Sequence, residues 1–308
     1  MQQKRFHAYA ELVFVGILWG FAATVIKVTL EEVPTIPFLT LRFAFSSLIC
    51  LLTLNSIKHL FTHGRNTTLL VFAYSILSTV IALGAIFKGL ETTTVLNLSV
   101  VQATGPLLLA FIGSFVFREH HTLRQKIGTF LAVIGTAITL IEPIVTSSIS
   151  GSLVGNVYLA VYIATDVISV LMLKTLLKKR VDPFALTNFS FFIGFLGYVV
   201  IVLTSSKGLS QLSPLLTLTP LALAGIVYMA YFSGTIAFGI RARAQRTISV
   251  GDAGLFGYLT PLFSTFFAVI LISEQVTPLF LSGALVTTFG VIIAEYRRPH
   301  KHPPLIKK

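Results

Sequence analysis

The chain has too little charge to coat a water-soluble globule. Only 11% of its 308 residues are Asp, Glu, Lys or Arg, 55% are hydrophobic, and the mean hydropathy is +0.87. Soluble domains carry about 25% charged residues, so a soluble enzyme or binding module is excluded. Cysteine is nearly absent. Cys50 stands alone inside an apolar run, which rules out a disulfide framework and a cysteine metal cluster. The seven histidines (His7, His59, His63, His120, His121, His300 and His302) all fall in polar connections or tails and read as solvated loop residues. With no histidine in an apolar run, and Asp166 the one acid at mid-run, an intramembrane enzyme lacks the nucleophile, base or metal ligands it would need. No cofactor is implied. Nucleic acid is excluded as a partner despite a net charge of +12 and a pI near 10.0, because the cations are scattered between apolar runs rather than gathered in one patch.

What is present is a series of long apolar runs, at 12–30, 37–57, 68–88, 93–117, 123–142, 153–175, 184–204, 217–240, 248–272 and 277–296. Each is about the 20 residues that cross a bilayer as a helix, and strands would leave their backbone groups unpaired in lipid. The expected fold class is an all-α polytopic membrane protein of ten transmembrane helices. The first run is too long for a signal-peptide core, and Trp19, Lys27 and Glu31 stand where a small-residue cleavage site would be, so it is expected to be retained.

Orientation follows from the cations in alternating connections. With the amino terminus inside, the inner segments hold nineteen of the 23 Lys and Arg residues, from Lys4 and Arg5 through Lys178 to Arg180 and Arg241 to the tail ending in Lys308. The outer segments keep only Lys88 and Lys207, while Lys27 and Arg42 lie within runs. Both termini are expected in the cytoplasm of a bacterial inner (plasma) membrane protein. This asymmetry accounts for the basic pI without an anionic partner.

The sequence also repeats. Residues 99–140 and 254–295 align at an offset of 155, which pairs Pro106 with Pro261, Glu119 with Glu274, Thr122 with Thr277, Gly128 with Gly283 and Gly135 with Gly290. An earlier stretch aligns at 146, pairing Pro37 and Phe38 with Pro183 and Phe184, and Arg42 with Asn188. Five runs per copy is an odd number, so the second copy is expected to enter the membrane inverted, with 1–147 forming one five-helix repeat and 148–308 the other. Inverted repeats are the architecture of many secondary transporters.

These motifs carry a resemblance. Trp19-Gly20 with Lys27, Pro37 through Arg42, Pro106 with Phe117-Arg118-Glu119, and Pro261 with Ser273-Glu274-Gln275 resemble the drug/metabolite transporter superfamily, and within it the EamA-type ten-helix transporters. The resemblance covers roughly residues 10–296. It implies two inverted five-helix halves and transport, often outward, of small organic solutes such as amino acids, nucleotide sugars, sugar phosphates or cationic drugs. Where members often carry Trp-Ala in helix six, this chain reads Tyr162-Ile163-Ala164-Thr165-Asp166.

Candidate pathway residues are the polar and aromatic side chains at depth. Asp166 lies about 12 residues into helix six, roughly 18 Å from its outer end. A charge there costs about 2.5–3.5 kcal/mol and should face a cavity or partner. It could anchor a substrate amine, act as a proton-coupling acid, or sit neutral in an interhelical hydrogen bond. Tyr158, Tyr162 and Ser169 share its face. Trp19 is too deep for an interfacial belt. Tyr74, Tyr228, Tyr231 and Tyr258 could stack a planar solute, while Asn97 and Gln102 could contact substrate or bond between helices. Lys27 and Arg42 could form an outer gate, contact an anion, or snorkel to the interface. Pro106 and Pro261 each remove a backbone donor and are expected to loosen helices four and nine at mid-membrane. A small-molecule substrate and the lipid bilayer are the implied partners, and the chain is expected to be a monomer or homodimer. A lipid-linked-substrate flippase and a gated channel are the alternatives, although no filter-like loop stands out.

Overall fold

A computed structural model of the chain describes residues 2–117, 122–145, 152–245 and 257–295. The long helices are labelled in chain order: α1 (Gln2–Leu30), α2 (Thr35–Leu52), α3 (Arg65–Ser75, Ile76–Ala82 and Leu83–Thr92, continuous), α4 (Val95–Phe117), α5 (Leu123–Val145), α6 (Leu153–Lys178), α7 (Pro183–Thr204), α8 (Pro220–Val227, Tyr228–Ile236 and Ala237–Gln245, continuous), α9 (Leu259–Ile272) and α10 (Pro278–Glu295). The described residues form no strand element. Among the described residues, five helices are long and apolar enough to cross a membrane by length and composition, within α1, α3, α6, α7 and α8, and shorter apolar helices accompany them.

Local chemistry sets several helix starts. Asp182 accepts from the Ala185 amide at 2.8 Å, with Pro183 in the first turn of α7, where its missing N–H is not needed. Thr219 and Pro220 do the same for α8, and Ser152 accepts from Gly155 to start α6.

Helices pack in pairs. α1 lies against α8 and α9, α6 against α3 and α4, α2 against α7, and α5 against α10. Apolar burial gives little drive between helices in lipid, so close backbone approach through small residues matters most. A Cβ on Gly16 or Gly20 would come within 2.9 Å of Leu259 or 2.4 Å of Phe263, which seats α1 on α9. The α5–α10 crossing is self-complementary. Gly128 faces the Gly290 carbonyl and Gly283 faces the Gly135 carbonyl, and the Thr287 hydroxyl donates to the Ala132 carbonyl at 3.4 Å. Under the 155-residue offset the two glycine pairings map onto each other, and the Thr287–Ala132 pairing maps onto itself.

Irregular helix geometry lies elsewhere than the prolines suggest. α4 runs through Pro106 without interruption, and Pro261 sits in the first turn of α9. The departures are two π-helical segments, Ile76–Ala82 in α3 and Tyr228–Ile236 in α8, which occupy corresponding helices of the two sequence copies.

Candidate functional site

A cavity of about 400 Å³ opens at the end of the bundle where α6 turns into α7. Its lining includes Leu173 and Leu177 of α6, the turn residues Arg180 to Asp182, Thr187 of α7, Tyr74 of α3, and Phe238 and Arg241 of α8. Part of this lining is polar, and two of its members, Tyr74 and Arg241, connect it electrostatically to Asp166. Asp166, near the middle of α6 and half-buried, interacts through space with Arg241 and Tyr74, and Tyr162 interacts with both Asp166 and Arg241. Arg241 and Asp166 make no direct ion pair. The Arg241 guanidinium instead lies over the Trp19 ring, 5.1 Å from its centroid. On the α4 side Gln102 approaches Tyr162, and its buried Oε1 has no hydrogen-bond partner among the described residues.

The π-helical segments position this site. Shifting to an i→i+5 register frees carbonyls that an α-helix would use internally, and side chains from other helices take them. In α8, the Ser233 carbonyl accepts from Trp19 Nε1 at 2.9 Å, Met229 from Arg42 Nε at 3.1 Å, and Ala230 from Ser46 Oγ at 3.2 Å. In α3, the Val80 carbonyl accepts from the Tyr198 hydroxyl at 3.0 Å. Trp19 is further held edge-on by Phe238 at 5.2 Å, so the ring under Arg241 is fixed on both sides.

Trp19, Gln102, Tyr162 and Asp166 thus converge, joined by Tyr74. The other expected residues lie apart. Tyr228 donates to the Leu18 carbonyl at 2.7 Å and stacks on Phe232, while Tyr231 stacks on Phe45. Tyr258 packs with Leu107, Ala132 and Ala294 on the α5–α10 side. Tyr158 is exposed on the outside of α6, and the Ser169 hydroxyl returns to the Thr165 carbonyl, so the polar stripe on α6 narrows to Tyr162 and Asp166. Asn97 is buried and donates to Thr93 Oγ1 at 3.2 Å and Asn156 Oδ1 at 3.1 Å, tying α4 to α6. Arg42 is 2% exposed between the Phe43 and Phe87 rings, and its Nη1 has no partner among the described residues.

At the opposite end of the bundle, carboxylates cap helices. Glu274, after α9, accepts from the Val95 and Leu96 amides at 2.7 and 2.8 Å, and Lys27 of α1 donates to the Leu90 and Thr93 carbonyls at 2.9 and 2.7 Å. Glu32 accepts from the Thr219 amide and hydroxyl at 2.7 and 2.6 Å, and these bonds hold its carboxyl below the usual carboxylate range. Glu91 accepts from the Thr35 amide at 2.7 Å.

Sequence reasoning counted Arg241 among the connecting cations because the apolar run ends at residue 240. The structure places it within α8, with its guanidinium over Trp19 and acting on Asp166 through space. The signal available was that Asp166 needed a compensating cation and Arg241 is the first one after that run. Arg118 and Glu119 of the motif after Pro106 lie outside the described residues.

The model of the EamA-like transporter family matches residues 8–141 and again 153–296, nearly the whole chain. The chain is 22% identical over 310 residues to the uncharacterized transporter YetK of Bacillus subtilis, covering 99% of this chain and 92% of that one. It is 25% identical to the uncharacterized transporter YyaM of the same organism, covering 94% of each. It is also 25% identical to the chloroplastic WAT1-related protein At3g02690 of Arabidopsis thaliana, over 76% of this chain and 56% of that one. A crystal structure superposes with a TM-score of 0.60 at 16% identity, covering 94% of this chain and 97% of the other, a likeness of fold alone.

Proposed function

This chain belongs to the EamA-like transporter family, and from that premise we propose that it is a secondary transporter that carries small zwitterionic, amino-acid-like solutes outward by alternating access. An integral membrane protein follows from the family and from the membrane-length apolar helices; an enzyme is disfavoured by the names of its relatives. The observation that carries the substrate reading is the opposite charge of Asp166 beside Arg241, which lines the cavity. Asp166 and Arg241 act on each other through space, and a ligand bearing both an ammonium and a carboxylate would match the two charges. Asp166 takes the ammonium and Arg241 the carboxylate, with Trp19, Tyr74, Tyr162 and Phe238 alongside the solute. An amine displaced from water into this partly dehydrated site is compensated by Asp166, and the uncompensated pair draws such a ligand in. Asp166 is also the residue through which proton coupling would run.

Support for two inverted five-helix halves comes from the self-complementary α5–α10 crossing, the matched π-helical segments, and a family model that matches twice. The cavity opens at the end bearing Lys178 to Arg180, and the cation asymmetry supports a cytoplasmic position for that end, so loading from inside and export are the favoured direction.

The test is ligand-induced thermal stabilisation of the purified protein with zwitterionic amino acids, simple amines, carboxylates, sugar phosphates and nucleotides. Zwitterions are expected to raise the melting temperature most, and Asp166→Asn and Arg241→Gln each to abolish most of that rise. Strongest stabilisation by sugar phosphates, or a response to zwitterions that survives both substitutions, would refute the assignment.

A further inference from the structure

Two groups of helices meet at the end of the bundle away from the cavity. α1 packs against both α8 and α9, and is seated on α9 through Gly16 and Gly20. α3, α4 and α6 form the other group, tied at their ends by Thr93, Asn97 and Asn156. The corner where α3 ends and α4 begins belongs to the second group, yet both charges that grip it come from the first. The Lys27 ammonium holds carbonyls at the carboxyl end of α3, and both oxygens of Glu274 hold amides at the amino end of α4. Each charge sits at the helix end whose dipole favours it. One turn below, the Ser99 and Ser264 hydroxyls bond at 2.6 Å across α4 and α9, so the two groups are in direct contact beneath the corner.

We propose that Lys27 and Glu274 form the outer latch of the transporter, gripping the α3–α4 corner when the cavity is open to the cytoplasm and releasing it when the outer end opens. The proposal rests on the alternating-access reading but concerns residues away from the substrate site. The latch suits a contact that breaks in every cycle. Burial pushes the Glu274 carboxyl up, against the pull of the Val95 and Leu96 amides and of Lys27, so the grip is a small difference between dehydrating a charge and making charge-assisted hydrogen bonds. The facing groups are few: Lys27 and, beside it, Glu31 from α1, backbone amides from α4, and the Lys88–Glu91 pair at the end of α3, with Glu91 turned to Thr35. Removing one member leaves the other half-buried without the opposite charge beside it, which favours the open, hydrated arrangement.

An internal control is present on the same face. Glu32 makes two short bonds to Thr219, but it joins the end of α1 to the start of α8, inside one group, and is therefore no latch. Spin labels at Leu153 of α6 and Val276 after α9, both exposed, report the gap between the groups in a Cys50→Ser background. Distance distributions from pulsed electron resonance on the full-length protein in lipid, without solute, are expected to show one short population for the parent. Glu274→Ala and Lys27→Met should each raise a longer population several-fold, and the double variant should add little to either single. Glu32→Gln should match the parent. Short distances retained in both latch variants, or lengthening by Glu32→Gln to the same extent, would overturn the proposal. Solute-induced thermal stabilisation retained in the latch variants would show that the substrate site stands irrespective of that outcome.

Discussion

Arg42 shows how a single residue in this bundle is held at a balance rather than at a profit. Its guanidinium is fully enclosed, bonded once to the Met229 carbonyl and flanked by two phenylalanine rings, with one nitrogen left over. A hydrogen bond to a charged group contributes about 1.5–3 kcal/mol and each ring contact about 0.5–2 kcal/mol, while dehydrating the cation costs several kcal/mol. The terms nearly cancel. Arg42→Met, which keeps the volume, is therefore expected to change the stability of the detergent-solubilised protein by less than about 1 kcal/mol, whereas Arg42→Ala opens a cavity and loses about 3 kcal/mol. Equal losses from both in chemical denaturation would show that the charge itself stabilises. Residues of the candidate site were legible to the extent that polarity in an apolar run is conspicuous. Asp166, Tyr162, Trp19 and Gln102 stand out that way. Arg241 did not, because an arginine at the edge of a run looks the same whether its stem turns out to water or back into the protein.

At the scale of elements, the contact between α5 and α10 depends on the absence of side chains. A methyl group on Gly135 would sit 2.4 Å from the Thr287 amide nitrogen, and one on Gly290 2.5 Å from that of Ala132. Backbone cannot swing aside as a side chain does, so Gly135→Ala and Gly290→Ala are each expected to destabilise by about 1–3 kcal/mol. Gly239→Ala is the comparison, since its nearest neighbour is a Phe184 ring atom at 3.9 Å, and it should be close to neutral. Thermal denaturation of the three variants decides this, and indistinguishable melting points would contradict the crossing as described. The glycine pattern was readable from the repeat because both copies keep it. The π-helical segments were not, since an i→i+5 register leaves no mark in composition and is stabilised by Trp19, Arg42, Ser46 and Tyr198, residues distant in sequence. Pro106 gave the opposite impression, a visible breaker in a helix that runs on through it.

For the whole molecule, the proposed alternating access makes the cavity at one end and the capped corner at the other one state of a cycle in which the two ends open in turn. The most direct test uses single cysteines in a Cys50→Ser chain, reconstituted with known sidedness and probed with an impermeant thiol reagent. Leu177→Cys lines the cavity, and Ser99→Cys lies under the latched corner. In the resting protein Leu177→Cys should label from the cytoplasmic side and Ser99→Cys should be protected. Under any solute or latch substitution that makes Ser99→Cys react from outside, labelling at Leu177→Cys should fall in proportion. Full labelling of both positions at once, each from its own side, would mean a continuous pore and contradict the account.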